Sequence, residues 1–304
     1  MHTPSIRITL ALSASILLAL GWRFAQRGAQ ERDSIIKTQA VAGCVSMLAG
    51  NGGNIGVSVG ADGVLMIDDE FEKLAPHIQA AIDAIAKEPK PPRFLINTHF
   101  HGDHTGGNAV FGRGATVLAH DNVRKRLLEP KANAPAMAAV GLPTVTYADS
   151  VSVHFNGEEV RITHYAGCHT DGDSVVLFTK SNVAHLGDLF FKDRFPYIDA
   201  GSGGSVRGTE RAIAELLKTL PADVKLIPGH GDVGSLADLK NYDEMLVRSL
   251  KVVGDGLAAG KDAQAITDSG ALKEYEVWGT GFISTKAWVE TIAAELARDT
   301  TARK

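Results

Sequence analysis

Cysteine is scarce in this chain: two among 304 residues, Cys44 and Cys168. Two cysteines this far apart do not make a disulfide framework. Surplus positive charge is missing as well. The formal net charge is -4, and no long run of Lys or Arg occurs, which leaves no electrostatic case for a nucleic-acid partner. Internal repeats and low-complexity tracts are absent. What remains is ordinary for a globular protein, 44% hydrophobic and 22% charged. The length allows one large or two smaller domains with a sizeable core.

The long apolar run sits at the start. ITLALSASILLAL, Ile8 to Leu20, carries no charge, with Arg7 before it and Arg23 and Arg27 after it. A membrane-spanning helix needs about 20 such residues. This run is shorter and fits the apolar region of a secretory signal, with Ala19 and Gly21 as a small-x-small cleavage pattern. An uncleaved membrane anchor is the alternative reading. A buried core helix fits less well, because such helices seldom follow a basic start directly. The expected division is therefore 1–30 as signal peptide or anchor with linker, and 31–304 as the folded domain. Export, to a periplasm or beyond, is the expected destination, and any membrane contact would run through the N-terminal segment. Gln26 to Lys37 reads as a polar linker.

Downstream, strand and helix signals alternate. GVSVGADGVLMIDDEF holds two apolar runs around Ala-Asp-Gly, a hairpin pattern. LAPHIQAAIDAIAKEPKPP is an amphipathic helix stopped by prolines. RFLINTHF reads as a strand running into a histidine cluster. ATVLAHDNVRKRL is a strand then a helix, with Asp121 near the cap. Five strands follow between Thr144 and Phe191. A helix over Thr209 to Leu220, the strand VKLIPGHG, a helix from Leu236 into Val253 and a last one from Ser284 to Arg298 complete the pattern. Strands and helices mixed in this order suggest sheets covered by helices.

The stretch THFHGDHTGGN concentrates three of the chain's 11 histidines within six residues. On an extended strand, i and i+2 share a face, so His99 and His101 can aim at one ion. Gly102 would let the backbone turn, and Asp103 and His104 could then aim at a second position. Imidazole nitrogen with carboxylate oxygen suits zinc, and also iron or manganese. Polar loop histidines are the plain alternative. Three later stretches weigh against it: GCHTDGD with His169, HLGDLFF with Asp188 and IPGHGD with His230. Each places a ligand type at a strand-to-loop junction beside a glycine, where an α/β sheet presents its crevice.

The ordered set HFHGDH, GCHT, GDLFF and PGHG resembles the metallo-β-lactamase superfamily of metal-dependent hydrolases, over roughly Cys44 to Gly254. The resemblance implies an α/β fold, the αββα sandwich, with metals at one edge. It implies a first metal on His99, His101 and His169, and a second on Asp103, His104 and His230. Asp188 would bridge two zinc ions together with a hydroxide that acts as the nucleophile. Two cations lower the pKa of a shared water toward neutrality, and they stabilise the oxyanion of a carbonyl intermediate. Asp103 would orient the hydroxide and pass a proton to the leaving group, which makes it the catalytic candidate.

Asp188 bears on the subfamily. In the di-zinc β-lactamases that the chain resembles, this position is usually cysteine, followed three residues on by a lysine that grips the substrate carboxylate. Here that later residue is Phe191, and Lys192 comes one place late. The aspartate and the GCHT turn resemble glyoxalase II and lactonases. Cys168 reads as a small filler rather than a ligand, since seven positions are already filled. His77 and His120 are expected to face solvent or cap helices. His154, His164 and His185 lie in strands and are expected to pack there, although His185 is also near enough to Asp188 to support the ligands instead. One of Asp68, Asp69 and Glu70 is expected either to hold a ligand histidine or to cap a helix. Two glycine-bearing loops, Ala49 to Gly56 and Lys192 to Thr209, should shape a pocket, with Phe195, Tyr197 and Arg207 in the second.

The leading expectation is an exported di-zinc hydrolase acting on a small molecule with an amide- or ester-type carbonyl, β-lactams being accepted but poor substrates. A glyoxalase II-like thioester or lactone hydrolase is the second expectation. Against glutathione thioesters, no basic, aromatic stretch follows His230, and export removes the chain from cytosolic glutathione. A non-catalytic metal-binding protein is the third. A purely structural zinc site needs four ligands and no open position, fewer than this chain offers. No flavin-binding domain follows that would suit a di-iron oxidoreductase.

Overall fold

The computed structural model describes residues 36–130 and 135–302, with side chains through Arg298. The expected signal or anchor lies outside these residues, as does all but the end of the expected linker. Among the described residues, no helix is long and apolar enough to cross a membrane.

Two sheets form. The first begins with β1 (Lys37–Ala42), β2 (Val45–Ala49), β3 (Ile55–Gly60) and β4 (Gly63–Ile67), all antiparallel neighbours. Ala-Asp-Gly closes the β3–β4 hairpin as expected, and Gly63 takes φ 125°, open to glycine at no steric cost. Helix α1 (Ala75–Ala86) follows and stops at Lys87, ahead of Pro89. Then come β5 (Pro92–Ile96), the single turns α2 (Gly102–Thr105) and α3 (Asn108–Phe111), β6 (Thr116–His120), α4 (Asp121–Leu128) and β7 (Val145–Tyr147). β4 to β7 pair in parallel, so the sheet runs β1 to β7 in order.

The second sheet contains β8 (Ser150–Phe155), β9 (Glu158–His164), β10 (Ser174–Phe178), β11 (Val183–Phe191), β12 (Lys225–His230) and the short β13 (Gly234–Ser235). Its spatial order is β13-β12-β11-β10-β9-β8. Between β11 and β12 lies α5 (Val206–Thr219). After β13 come α6 (Leu236–Ala258), α7 (Ala263–Asp268), a 3-10 stretch (Lys273–Thr280) and α8 (Thr285–Ala302). The linker reading of the sequence ends where β1 begins, and β1, β2 and α7 were not legible in advance.

Period two explains how the layers meet. Leu65 and Ile67 of β4 join Ile96, Leu118, Ile162, Val176, Val183 and Ile227 in one core between the sheets. On β11 the alternate residues Ala184 and Leu186 face away, into a second core with Ile213, Leu216, Leu246 and Trp288 from α5, α6 and α8. Each such side chain contributes roughly 1.5–3 kcal/mol on burial. The result is two face-to-face sheets with helices outside, the expected αββα sandwich.

Two local expectations are corrected. The strand expected over RFLINTHF stops at Ile96. Beyond it the Thr98 amide donates to the Asp68 carboxylate at 2.8 Å rather than to a ladder carbonyl. His99 and His101 therefore leave from a loop, not from one strand face. Asp188, expected past a strand end, lies inside β11. It is aimed by an irregularity in the β11–β12 ladder at Gly187, whose φ is 50°.

Candidate metal centre

The seven side chains singled out in the sequence gather at one edge of the sandwich, in two groups. His99, His101, His169 and Asp188 form one, and Asp103, His104 and His230 the other; within each, the potential ligand atoms lie within 4.8 Å of one another. Asp188 faces both. Its Oδ2 is 3.3 Å from His169 Nε2 and 3.8 Å from His99 Nε2. Its Oδ1 is 3.1 Å from His104 Nε2 and 3.5 Å from His230 Nε2. Asp103 Oδ2 is 3.4 Å from His230 Nε2 and 3.8 Å from His104 Nε2.

The tautomers are set from outside the cluster. His104 Nδ1 donates to Asp68 Oδ2 at 2.8 Å, His101 Nε2 to Asp199 Oδ2 at 3.0 Å, and His169 Nδ1 to the Tyr197 carbonyl at 2.7 Å. His99 Nδ1 lies 3.1 Å from Thr98 Oγ1, whose own proton goes to Asp68 at 2.7 Å. With one ring nitrogen of each so protonated, the other presents a lone pair to the centre. His101 Nδ1 and His169 Nε2 face each other at 2.9 Å with no proton left for either. His99 Nε2, His104 Nε2 and Asp188 Oδ1 are buried without a hydrogen-bond partner. Converging lone pairs around orphaned buried atoms are a poor arrangement for a packed core and a fitting one for divalent cations.

Electrostatics agree. Burial pushes His99 well below the ordinary imidazole range and His169 down to about 4, so both stay neutral and able to ligate. Burial opposes charge on Asp188 too, but the surrounding imidazoles outweigh it and hold the carboxyl well below its usual range. For His230, burial is outweighed by Asp188 and Asp103, which raise it to about 9. The second group thus favours a positive charge, which a proton or a metal ion can provide.

Backbone packs tightly round the cluster. A Cβ on Gly53 would run into the His104 ring, and one on Gly229 into Asp188 Oδ1. The glycine-bearing loop between β2 and β3 is pinned. Gly53 donates to the Asp103 carbonyl at 3.0 Å and Asn54 to the Gly229 carbonyl at 2.7 Å. The Asn54 side chain reaches the Pro228 and Gly231 carbonyls. Glu70 accepts from Asn51 and Gly52, while Asp69 accepts from Gly107. So all three acidic residues ending LMIDDE are used, and Asp68 is the one on a histidine of the cluster. His185 bonds the Asn54 carbonyl at 3.0 Å rather than a member of the cluster. His120 caps α4, His164 stacks on it at 3.6 Å, and His77 and His154 face solvent. Cys168 is a buried filler, outside both groups.

The cluster is open on one side. A cavity of about 750 Å³ has His101, Asp103, Asp188 and His230 in its wall. Neither Lys192 nor Arg207 is in that wall. Lys192 is held by Asp193 at 2.7 Å and Asp238 at 3.5 Å. Arg207 stands in the first turn of α5. Arg194 lines the cavity instead, with Phe195 and Tyr197 as expected. Asp199, Arg194 and Phe282 went unnoticed in the sequence; none carries a local signal, since each acts only through what the fold sets beside it.

A family model described as the metallo-beta-lactamase superfamily matches residues 50–230, more than half of the chain and inclusive of all seven cluster residues. The chain belongs to the metallo-beta-lactamase superfamily. Among solved structures it is similar to a metallo-beta-lactamase from Pontibacter korlensis, at TM-score 0.60 and 18% identity, over 69% of this chain and 98% of that one. It is also similar to the DIM-1 metallo-beta-lactamase, at TM-score 0.56 and 17% identity, over 69% of this chain and 96% of that one. At such identities the likeness speaks for the fold. Membership and the histidine–aspartate cluster together support a metal-dependent hydrolase.

Proposed function

We propose that this superfamily member is an exported hydrolase that cleaves an amide- or ester-type carbonyl bond with two bound divalent cations, zinc being favoured by the donor set and iron or manganese also compatible. The observation that carries the reading is Asp188, which turns one oxygen to each group of imidazoles at the wall of an open cavity. His99, His101 and His169 would hold one ion, and Asp103, His104 and His230 the other, with Asp188 shared. Such ions supply Lewis-acid polarisation of a carbonyl and an acidified water.

The chain's own residues do the rest. Asp68, Asp199 and the Tyr197 carbonyl orient three imidazoles, so little reorganisation is needed when substrate arrives. Asp103 stands on the cavity side with its carboxyl lowered, burial being outweighed by His230 and His104. It is placed to orient an attacking water and carry its proton to the leaving group. The open wall favours catalysis over a non-catalytic metal-binding role.

β-Lactams are proposed as poor substrates. Phe191 occupies the place of the anchoring lysine, and Lys192 is engaged by two carboxylates. Loss of one charge-assisted contact costs about ten- to a hundredfold in affinity and raises KM more than it lowers kcat. Aspartate at 188 favours a lactone or thioester substrate as the second reading. The test is a hydrolysis screen of lactams, lactones, thioesters and phosphodiesters with metal content measured in parallel. Turnover of a carbonyl substrate by protein holding about two ions per chain is expected. One ion at saturation, or cleavage of phosphodiesters alone, would overturn the reading. Export is tested by intact mass: loss of roughly the first 20 residues is expected, and retention of Met1 in the exported protein would favour an anchor.

A further inference from the structure

The family match ends at residue 230, and α8 lies beyond it. That helix nevertheless reaches the segment on which two imidazoles of the first group lean. Trp288 and Glu295 stand about two turns apart, on one face of α8. Trp288, fully buried, stacks on Phe195 at 5.6 Å between ring centroids. Glu295 is 6% exposed and closes the start of α5 from outside. Its Oε2 accepts from the Val206 amide at 2.6 Å. Its Oε1 accepts from the Ser205 hydroxyl at 3.0 Å and from the Arg207 amide at 3.2 Å. First-turn amides have no partner within their own helix, and a carboxylate there also meets the positive end of the helix dipole.

Between these two anchors lie the groups that orient His169 and His101. The Tyr197 carbonyl accepts from His169 Nδ1, and Asp199 Oδ2 accepts from His101 Nε2. The backbone of the segment is laid against the same strand-end loop. The Asp199 amide donates to the His169 carbonyl at 2.9 Å, and the Ser205 amide to the Cys168 carbonyl at 2.7 Å. Gly204 passes so close to the His169 carbonyl that a Cβ there would collide with it. Stacking holds the Phe195 end without fixing its register, whereas directional hydrogen bonds to Glu295 fix the Ser205 end. The second group is supported from elsewhere: Asp68 holds His104, and His230 stands on β12.

We propose that Glu295 is a positioning residue for the first group. By fixing the start of α5, it keeps the segment from Tyr197 to Ser205 where Asp199 and the Tyr197 carbonyl aim His101 and His169. This rests on the metal-dependent reading above and adds to it a support from outside the family-matched residues. Supports behind ligating imidazoles are worth about 10- to 100-fold in metal affinity.

The test measures zinc affinity of the full chain by competition with a chromogenic chelator. Two backgrounds separate the groups: Asp103→Asn leaves the first intact, and His169→Ala the second. Glu295→Ala should weaken zinc about 10- to 100-fold in the first background and by no more than about twofold in the second. Glu295→Gln keeps one acceptor oxygen and should fall between wild type and alanine. Ser249→Ala is the control for loosened packing. It removes the acceptor of the Trp288 Nε1 bond at 3.0 Å, on the same helix, and should lower the melting temperature without changing either affinity. Unchanged affinities in both backgrounds, equal losses in both, or losses that Ser249→Ala reproduces would overturn the proposal. Proton NMR of the metal-free protein gives a second readout. Glu295→Ala should shift or broaden the ring N–H resonances of His101 and His169 and leave that of His104 in place. If the wild type takes up no zinc but these resonances respond in that way, the metal reading fails and the positioning role stands. If zinc binds and Glu295→Ala alters neither the affinities nor the resonances, the positioning role fails alone.

Discussion

Asp103 is the only cluster member with both a ligand-type oxygen and substantial access to the cavity beyond its metal-facing neighbours, at 31% side-chain exposure. Asp103→Asn keeps the shape and removes the negative charge that, on the proposed reading, would attract a cation and carry a proton. The first group, His99, His101 and His169, is untouched by the change. The variant should hold one ion while kcat falls on the order of 10²-fold or more. Metal analysis beside steady-state kinetics checks this, and a near-normal rate at full occupancy would remove Asp103 from the chemistry. Asp68 acts one step further out. It accepts from His104, the Thr98 hydroxyl and the Thr98 amide at once, and an asparagine has too few acceptor sites for all three. Asp68→Asn should weaken metal binding about 10- to 100-fold, read by competition with a chromogenic chelator. An unaltered affinity would show that the His104 ring is held by packing alone.

At the level of elements, His99, His101 and His169 leave from short connections, whereas Asp103 and His104 stand on α2, Asp188 on β11 and His230 on β12. The β2–β3 loop is tied to Asp103, Gly229 and Glu70 through its backbone amides, and Gly53 leaves no room between that loop and His104. Gly53→Ala must push the loop or the imidazole aside. A cost of about 1–3 kcal/mol is expected from such overpacking. Thermal melting with and without zinc distinguishes the two outcomes: displacement of the ring reduces the gain on adding zinc, whereas displacement of the loop lowers both transitions equally. An unchanged melt in both would mean the close approach is absent in solution. The same connections explain what periodicity could not reveal. RFLINTHF is apolar enough to read as one strand, but it ends at Ile96 because Asp68, thirty residues back in the chain, takes the Thr98 amide.

For the whole molecule, cation binding should be linked to folding. The unfolded chain has no preformed cluster, so each ion bound at a thousandfold over its Kd adds about 4 kcal/mol. A kilocalorie per mole is roughly 2–4 °C in a chain of this size. Chelation should therefore lower the melting temperature by at least about 8 °C, with recovery on adding zinc; a transition indifferent to both would argue against a native metal site. The motifs HFHGDH, GCHT, GDLFF and PGHG were readable without coordinates because metal chemistry restricts residue type, and their order along the chain was enough to name the superfamily and its αββα sandwich. The alternation of apolar residues likewise marked most strands and helices. Other features depend on residues far apart in sequence meeting in space. Asp188 facing two groups at once, Asp199 fixing His101, Arg194 lining the cavity while Lys192 is engaged elsewhere, and Phe282 closing a cavity built mostly from earlier segments are of this kind. Local sequence limits which side chains can ligate or pack, whereas hydrogen-bond partners, burial and exposure are set by whichever distant segments the folded sheets bring alongside.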